Sequence, residues 1–182
     1  VNTLLPVALG ATLVPAGSVW KYLDDGSNQG TEWRFPTFDD SGWAAGPAQL
    51  GYGDGDEKTV VDSGSGPEGR HITTYFRHSW TVSDPQLYAS LALRLLRDDG
   101  AVVYLNGVEV ARLGMIPMQV DFLTPAAESH EEESLFVGPP LNIPPGLLVP
   151  GMNVLAVEVH QVSRMSSDVS FDLELADEPG TL

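Results

Sequence analysis

Apolar residues recur at every second position along much of this chain, which is the period of a β-strand with one buried face. In "ITTYFRHSWTV" (72–82), Ile72, Thr74, Phe76, His78, Trp80 and Val82 share one face, and Thr73, Tyr75, Arg77, Ser79 and Thr81 the other. "LYASLALRLLR" directs Leu87, Ala89, Leu91, Leu93 and Leu95 inward; "NVLAVEV" aligns Leu155, Val157 and Val159; "VSFDLEL" aligns Val169, Phe171, Leu173 and Leu175. The intervening positions are smaller or polar, as in antiparallel sheets. Asn106-Gly107, between "AVVYL" and "VEVAR", predicts a two-residue hairpin, because a type I′ turn needs positive φ at both central residues.

Glycine and proline, 19 and 14 residues, punctuate the rest. "GPPLNIPPGLLVPG" (138–151) predicts a long irregular connection with one helical turn, and "FDDSGW" (38–43) a short helical turn capped by an Asp. "ESHEEES" (128–134) predicts an exposed acidic loop. No segment carries a sustained helical period and no internal repeat is visible, so the expected fold is all-β, a sandwich of two antiparallel sheets. Its boundaries fall as an N-terminal extension or edge strand over 1–17, the sandwich over 18–176, and the start of a linker over 177–182.

At 182 residues the chain can build one domain with a sizeable core. Its charge, 9 Lys plus Arg against 25 Asp plus Glu, gives net −16. Such a surface repels phosphate backbones and anionic lipid, so neither nucleic acid nor a membrane is an expected partner. It also suits a secreted, monomeric protein and supplies oxygen ligands for calcium. There are no cysteines, which excludes disulfides and thiolate metal sites.

Candidate chemistry is spread over several loops. Asp98-Asp99-Gly100 is turn chemistry first, with its carboxylates accepting local backbone N–H groups, and a metal or sugar contact second. The loops 22–43 and 52–58 hold acidic residues, among them Asp24, Asp25, Asp39 and Asp54, without EF-hand spacing. Trp20, Tyr22, Trp33, Trp43, Tyr52, Tyr75 and Tyr104 are divided between core and sugar-stacking roles. "EVHQVSRMSSD" (158–168) gathers Glu158, His160, Gln161 and Asp168 at a strand end. No G-x-S-x-G elbow, zinc spacing or P-loop is present, so nothing in the motifs marks an enzyme.

"WKYLDDGSNQGTEWRFPTFDDSGWAAGPAQLGYGDGDE", "ITTYFRHSW", "RDDGAVVYLNGVEVAR" and "NVLAVEVHQ…SSDVSFDLEL", in this order, resemble the galactose-binding-domain-like β-sandwich modules of secreted bacterial multidomain proteins. "FDDSGW", "VYLNGVEV" and "LLVPGMNVLAVEV" are also similar to the jelly-roll domain that precedes many β-galactosidase-type catalytic domains. The resemblance implies a jelly roll of two antiparallel sheets and a non-catalytic carbohydrate-binding module that tethers an enzyme to polysaccharide. It implies a structural calcium near Asp24, Asp25 and Asp39, with Asp172 returning from the last strand. The ligand would be met by Tyr75, Arg77, Asp98, Asp99, Tyr104, Arg112, His160 and Gln161. Where similar modules continue the hairpin with R-x-N-M-P-x-G, this chain has "RLGMIPMQ" (112–119). The rival expectation is a structural accessory domain that packs against a neighbouring catalytic domain, binds no glycan and buries its aromatics. A hydrolase using paired carboxylates is a third, and would need a deep cleft with a perturbed acid.

Overall fold

The computed structural model describes residues 10–64, 69–131 and 139–178. The strands are β1 Thr12–Val14, β2 Val19–Leu23, β3 Ala44–Pro47, β4 Leu50–Tyr52, β5 Thr59–Val60, β6 Thr73–Val82, β7 Leu91–Asp98, β8 Gly100–Leu105, β9 Val108–Leu113, β10 Leu141–Ile143, β11 Gly151–His160 and β12 Val169–Asp177. They form two six-stranded sheets. The first runs β10-β7-β12-β4-β5, with β1 pairing β12 alongside β4; the second runs β3-β2-β6-β11-β8-β9. Every pairing is antiparallel except β4 with β5, which is parallel.

The two alternating runs near the C-terminus become the central strands. β11 lies between β6 and β8, with Val157 opposite both Phe76 and Val103. β12 lies between β7 and the short β4 and β1. Their inward residues Leu155, Val157, Phe171, Leu173 and Leu175 meet Trp20, Phe76, Leu91, Leu93 and Leu105 in one core. Phe76 and Phe171 stack at 4.1 Å between centroids across the sheets. Full burial of each such side chain is worth about 1.5–3 kcal/mol.

Asn106 and Gly107 make the predicted hairpin, at φ 53° and 88°. The segment 87–90 departs from its predicted strand. Pro85–Leu87 form a 3₁₀ turn capped by Asp84, β7 begins only at Leu91, and Leu87 and Ala89 are exposed. Pro85 both withdraws a ladder donor and suits the start of a helical turn. In the connection 138–151, β10 is followed by a 3₁₀ turn at Pro145–Leu147. A 3₁₀ turn falls at Glu32–Arg34, and within 38–43 a single hydrogen-bonded turn joins Trp43 N–H to the Asp40 carbonyl, with Asp39 Oδ1 accepting from Ser41 N–H. Residues 1–9 of the N-terminal extension and 132–134 of the acidic loop lie outside the described residues, and Thr12–Val14 is an edge strand.

Candidate functional site

The outer face of the second sheet is not open. Tyr75, Val102, Tyr104, Val154 and Ala156, which alternation turns away from the core, form a second apolar cluster with Trp33, Trp43 and Val120. Those last three come from the loops 24–43 and 114–131, which roof this face. Arg77 holds the first roof in place. Its Nε donates to Asp40 Oδ2 at 2.8 Å, and its Nη1 to the carbonyls of Trp33 and Phe35. Arg112 holds the second, forking onto both oxygens of Glu109 (2.8 and 2.7 Å) while Nη1 donates to the carbonyls of Ile116 and Met118.

A groove remains between the two roofs. Its larger part, about 510 Å³, is lined by Arg34, Tyr104, Glu109, Arg112, Pro117, Met118, Gln119 and Val120. Its smaller part, about 180 Å³, shares Arg34, Gln119 and Val120 and adds Asn28, Tyr75, Asp121 and Glu158. Arg34 stands between them. Its guanidinium lies 4.2 Å from the Tyr104 ring centroid, and Nη2 donates to Glu158 Oε1 at 3.2 Å. Tyr104 Oη donates to the same oxygen at 2.6 Å. Glu158 Oε2 is 3.4 Å from His160 Nε2, and His160 Nδ1 reaches the Thr124 carbonyl and Thr73 Oγ1. Burial, then the Glu158 charge, pushes the Tyr75 and Tyr104 phenols well above the usual range, so both stay neutral. Among the described residues, Nη2 carries Arg34's hydrogen bond and Nη1 has none, and the residue lines both parts of the groove.

The predicted ligand-binding residues are thus distributed, not gathered. Tyr104 and Arg112 line the larger part of the groove and Tyr75 the smaller. Arg77 lies beneath the first roof, only 2% exposed. His160 is fully buried, with its Nε2 3.4 Å from Glu158 Oε2 and without a hydrogen bond among the described residues. Asp98, Asp99 and Gln161 sit elsewhere, where the chain crosses from β7 in one sheet to β8 in the other. The Asp99 carboxylate accepts from His130 N–H, Val162 N–H and Ser166 Oγ. Gln161 Nε2 donates to the Asp168 carbonyl. Burial, with the Asp99 charge adding to it, raises the Asp98 carboxyl to about 8.

Alternation had already marked Glu158 as a carboxylate facing away from the core, and burial of both faces of β11 makes a partner obligatory. Arg34 had no such signal, because "TEWRFP" carries no period. The segment 117–119, within the stretch that departs from R-x-N-M-P-x-G, forms one wall of the larger cavity.

The residues suggested for calcium are divided between the two sheets. Asp24, Asp25 and Asp39 lie in the first roof and use carboxylate oxygens on the N–H groups of Asp62, Ser27 and Ser41. Asp172 belongs to the other sheet, where both oxygens accept from Gly17 N–H. Among the described residues, no group of three or more His, Asp or Glu side chains is placed to hold a metal.

No family model matches this sequence, and no curated protein matches it. Solved structures match it in fold. Against Bacteroides uniformis β-glucuronidase 2, covalently bound to cyclophellitol-6-carboxylate aziridine, the TM-score is 0.57 at 17% identity, over 94% of this chain and 18% of that one. Against a β-glucuronidase of Ruminococcus gnavus in complex with D-glucuronic acid it is 0.52 at 12% identity, over 97% of this chain and 31% of that one. An uncultured Clostridium sp. β-glucuronidase gives 0.50 at 19% identity, over 99% and 31%. The chain spans less than a third of each. It is an all-β two-sheet sandwich, similar in fold to part of these bacterial glycoside hydrolases.

Proposed function

We propose that this domain is a non-catalytic accessory module of a secreted, multidomain glycan-processing protein, and that the roofed groove binds carbohydrate. The observation that carries this reading is Arg34. Its guanidinium is held by Tyr104 and Glu158, and the residue lines both parts of a concave, mixed-polarity groove. A held donor among amide and carboxylate neighbours is what fixes sugar hydroxyls without paying to order a long side chain. The fold likeness to part of larger glycosidases supports an accessory place. Catalysis finds less support, since the strongly perturbed acid, Asp98, lines neither part of the groove.

Affinity electrophoresis through a polysaccharide panel tests this reading. One or more glycans should retard the protein, and Arg34→Ala should remove the retardation at a temperature where its melting curve shows the variant still folded, although it loses stability because Glu158 is left short of a donor. Loss of the retardation in EDTA would bring calcium into the site or into the loops that hold it. Absence of retardation across the panel would overturn the binding reading.

A second reading, a docking domain without a glycan, is favoured by one feature. A mostly apolar cleft of about 240 Å³ lies among Pro85, Gln86, Tyr88, Pro145 and Gly146, with Leu87 71% exposed beside it. Beside it Glu178 N–H, just after the last strand, bonds the Ser90 carbonyl.

A further inference from the structure

The charges that line the groove decide which sugars it accepts, an inference that rests on the binding reading above. Arg34 is paired with Glu158 at 3.2 Å and Arg112 with Glu109 at 2.7 Å. Asp121 adds a further carboxylate in the smaller part, kept ionised by the backbone N–H of Leu123 and the Thr124 hydroxyl. The walls therefore present two cations against three anions, and both cations already face a carboxylate. Among the described residues, no other Lys or Arg lines either part.

We infer that the groove selects uncharged sugars and rejects uronic acids and other anionic glycans. A sugar carboxylate entering here would meet Glu109 or Asp121 with no uncommitted cation to neutralise it, and like-charge juxtaposition costs several kcal/mol. The net charge of −16 acts in the same direction on any polyanion at longer range. A neutral hydroxyl meets no such obstacle, because it donates and accepts. It can take an N–H from Arg34 Nη1, exchange hydrogen bonds with the Gln119 amide, and donate to the Asp121 oxygen left free by Leu123 and Thr124.

The test uses matched pairs: galactan with polygalacturonate, and hydroxyethylcellulose with carboxyl-oxidised cellulose, in affinity gels at about 50 and about 500 mM NaCl. The neutral member of at least one pair should retard the protein about tenfold or more strongly than its acidic partner, with little change on adding salt. Glu109→Gln releases the Arg112 cation and should raise retardation by the acidic member several-fold, an increase that high salt removes. Equal or stronger retardation of the wild-type protein by a polyuronate would overturn the inference while leaving carbohydrate binding intact. A preference for cationic chitosan would do the same. Retardation by none of the glycans would overturn the binding reading and this inference with it.

Discussion

Tyr104 Oη and Arg34 Nη2 donate to one and the same oxygen of Glu158, from 2.6 and 3.2 Å. Glu158 is 2% exposed, so these donors stand in for the water its carboxyl group has lost. The shared oxygen also fixes the guanidinium over the phenol ring, so a residue of the core strand β11 sets the position of a residue in the roof.

Tyr104→Phe should therefore cost about 1–3 kcal/mol, the price of leaving a buried acceptor short of a donor. Urea unfolding monitored by tryptophan fluorescence measures it. A change near zero would mean that Arg34 alone satisfies Glu158.

Asp99→Ala should destabilise by roughly 3 kcal/mol, because two backbone N–H groups, those of His130 and Val162, lose their acceptor. Asp99→Asn should rescue little, since its amide brings a donor where acceptors are needed on both oxygens. Thermal melts of the two variants side by side would expose a role that depended only on size.

The Asp98 carboxyl titrates near 8 in the folded protein against an ordinary value of 3.8. Between those limits the folded state holds a proton that the unfolded chain has released, so this group's contribution to stability falls as pH rises from about 4 to about 8. Asp98→Asn keeps the neutral shape and removes the titration. It should raise the melting temperature at about pH 8.5 and change it far less at about pH 4.5. A parallel shift at both pH values would show that Asp98 is ionised throughout.

Gly51 faces the backbone of β12 with no room for a side chain. A Cβ there would stand 1.8 Å from the Val169 carbonyl oxygen. Gly51→Ala should break the β4–β12 pairing and cost more than about 3 kcal/mol, with soluble yield and melting temperature as readouts. A stable Gly51→Ala protein would mean that β4 is not closely paired there.

Strand faces were legible in the sequence wherever packing depends on neighbours two residues apart. Leu155, Val157 and Val159, like Phe171, Leu173 and Leu175, all point into the core as their alternation requires. The same pattern failed at Leu87 and Ala89, where Pro85 outweighs alternation by starting a 3₁₀ turn. The type I′ hairpin was equally legible, because Asn106 and Gly107 tolerate the required backbone on their own. Asp98-Asp99 was legible only as carboxylates beside a glycine. That Asp99 ties two loops together depends on Val162 and Ser166, more than 60 positions away.

The sequence by itself determined an all-β sandwich, the inward face of its long strands and its hairpin, because each rests on local geometry repeated at period two. Only the tertiary structure decided that the second face of the β6–β11–β8 sheet is roofed rather than open. Tyr75 and Arg77 alternate as surface residues would, yet are buried by loops without periodicity. What holds those loops down, Arg77 on Asp40 and Arg112 on Glu109, and what leaves Arg34 facing the groove, are side-chain meetings that no pattern of hydrophobic and polar positions encodes.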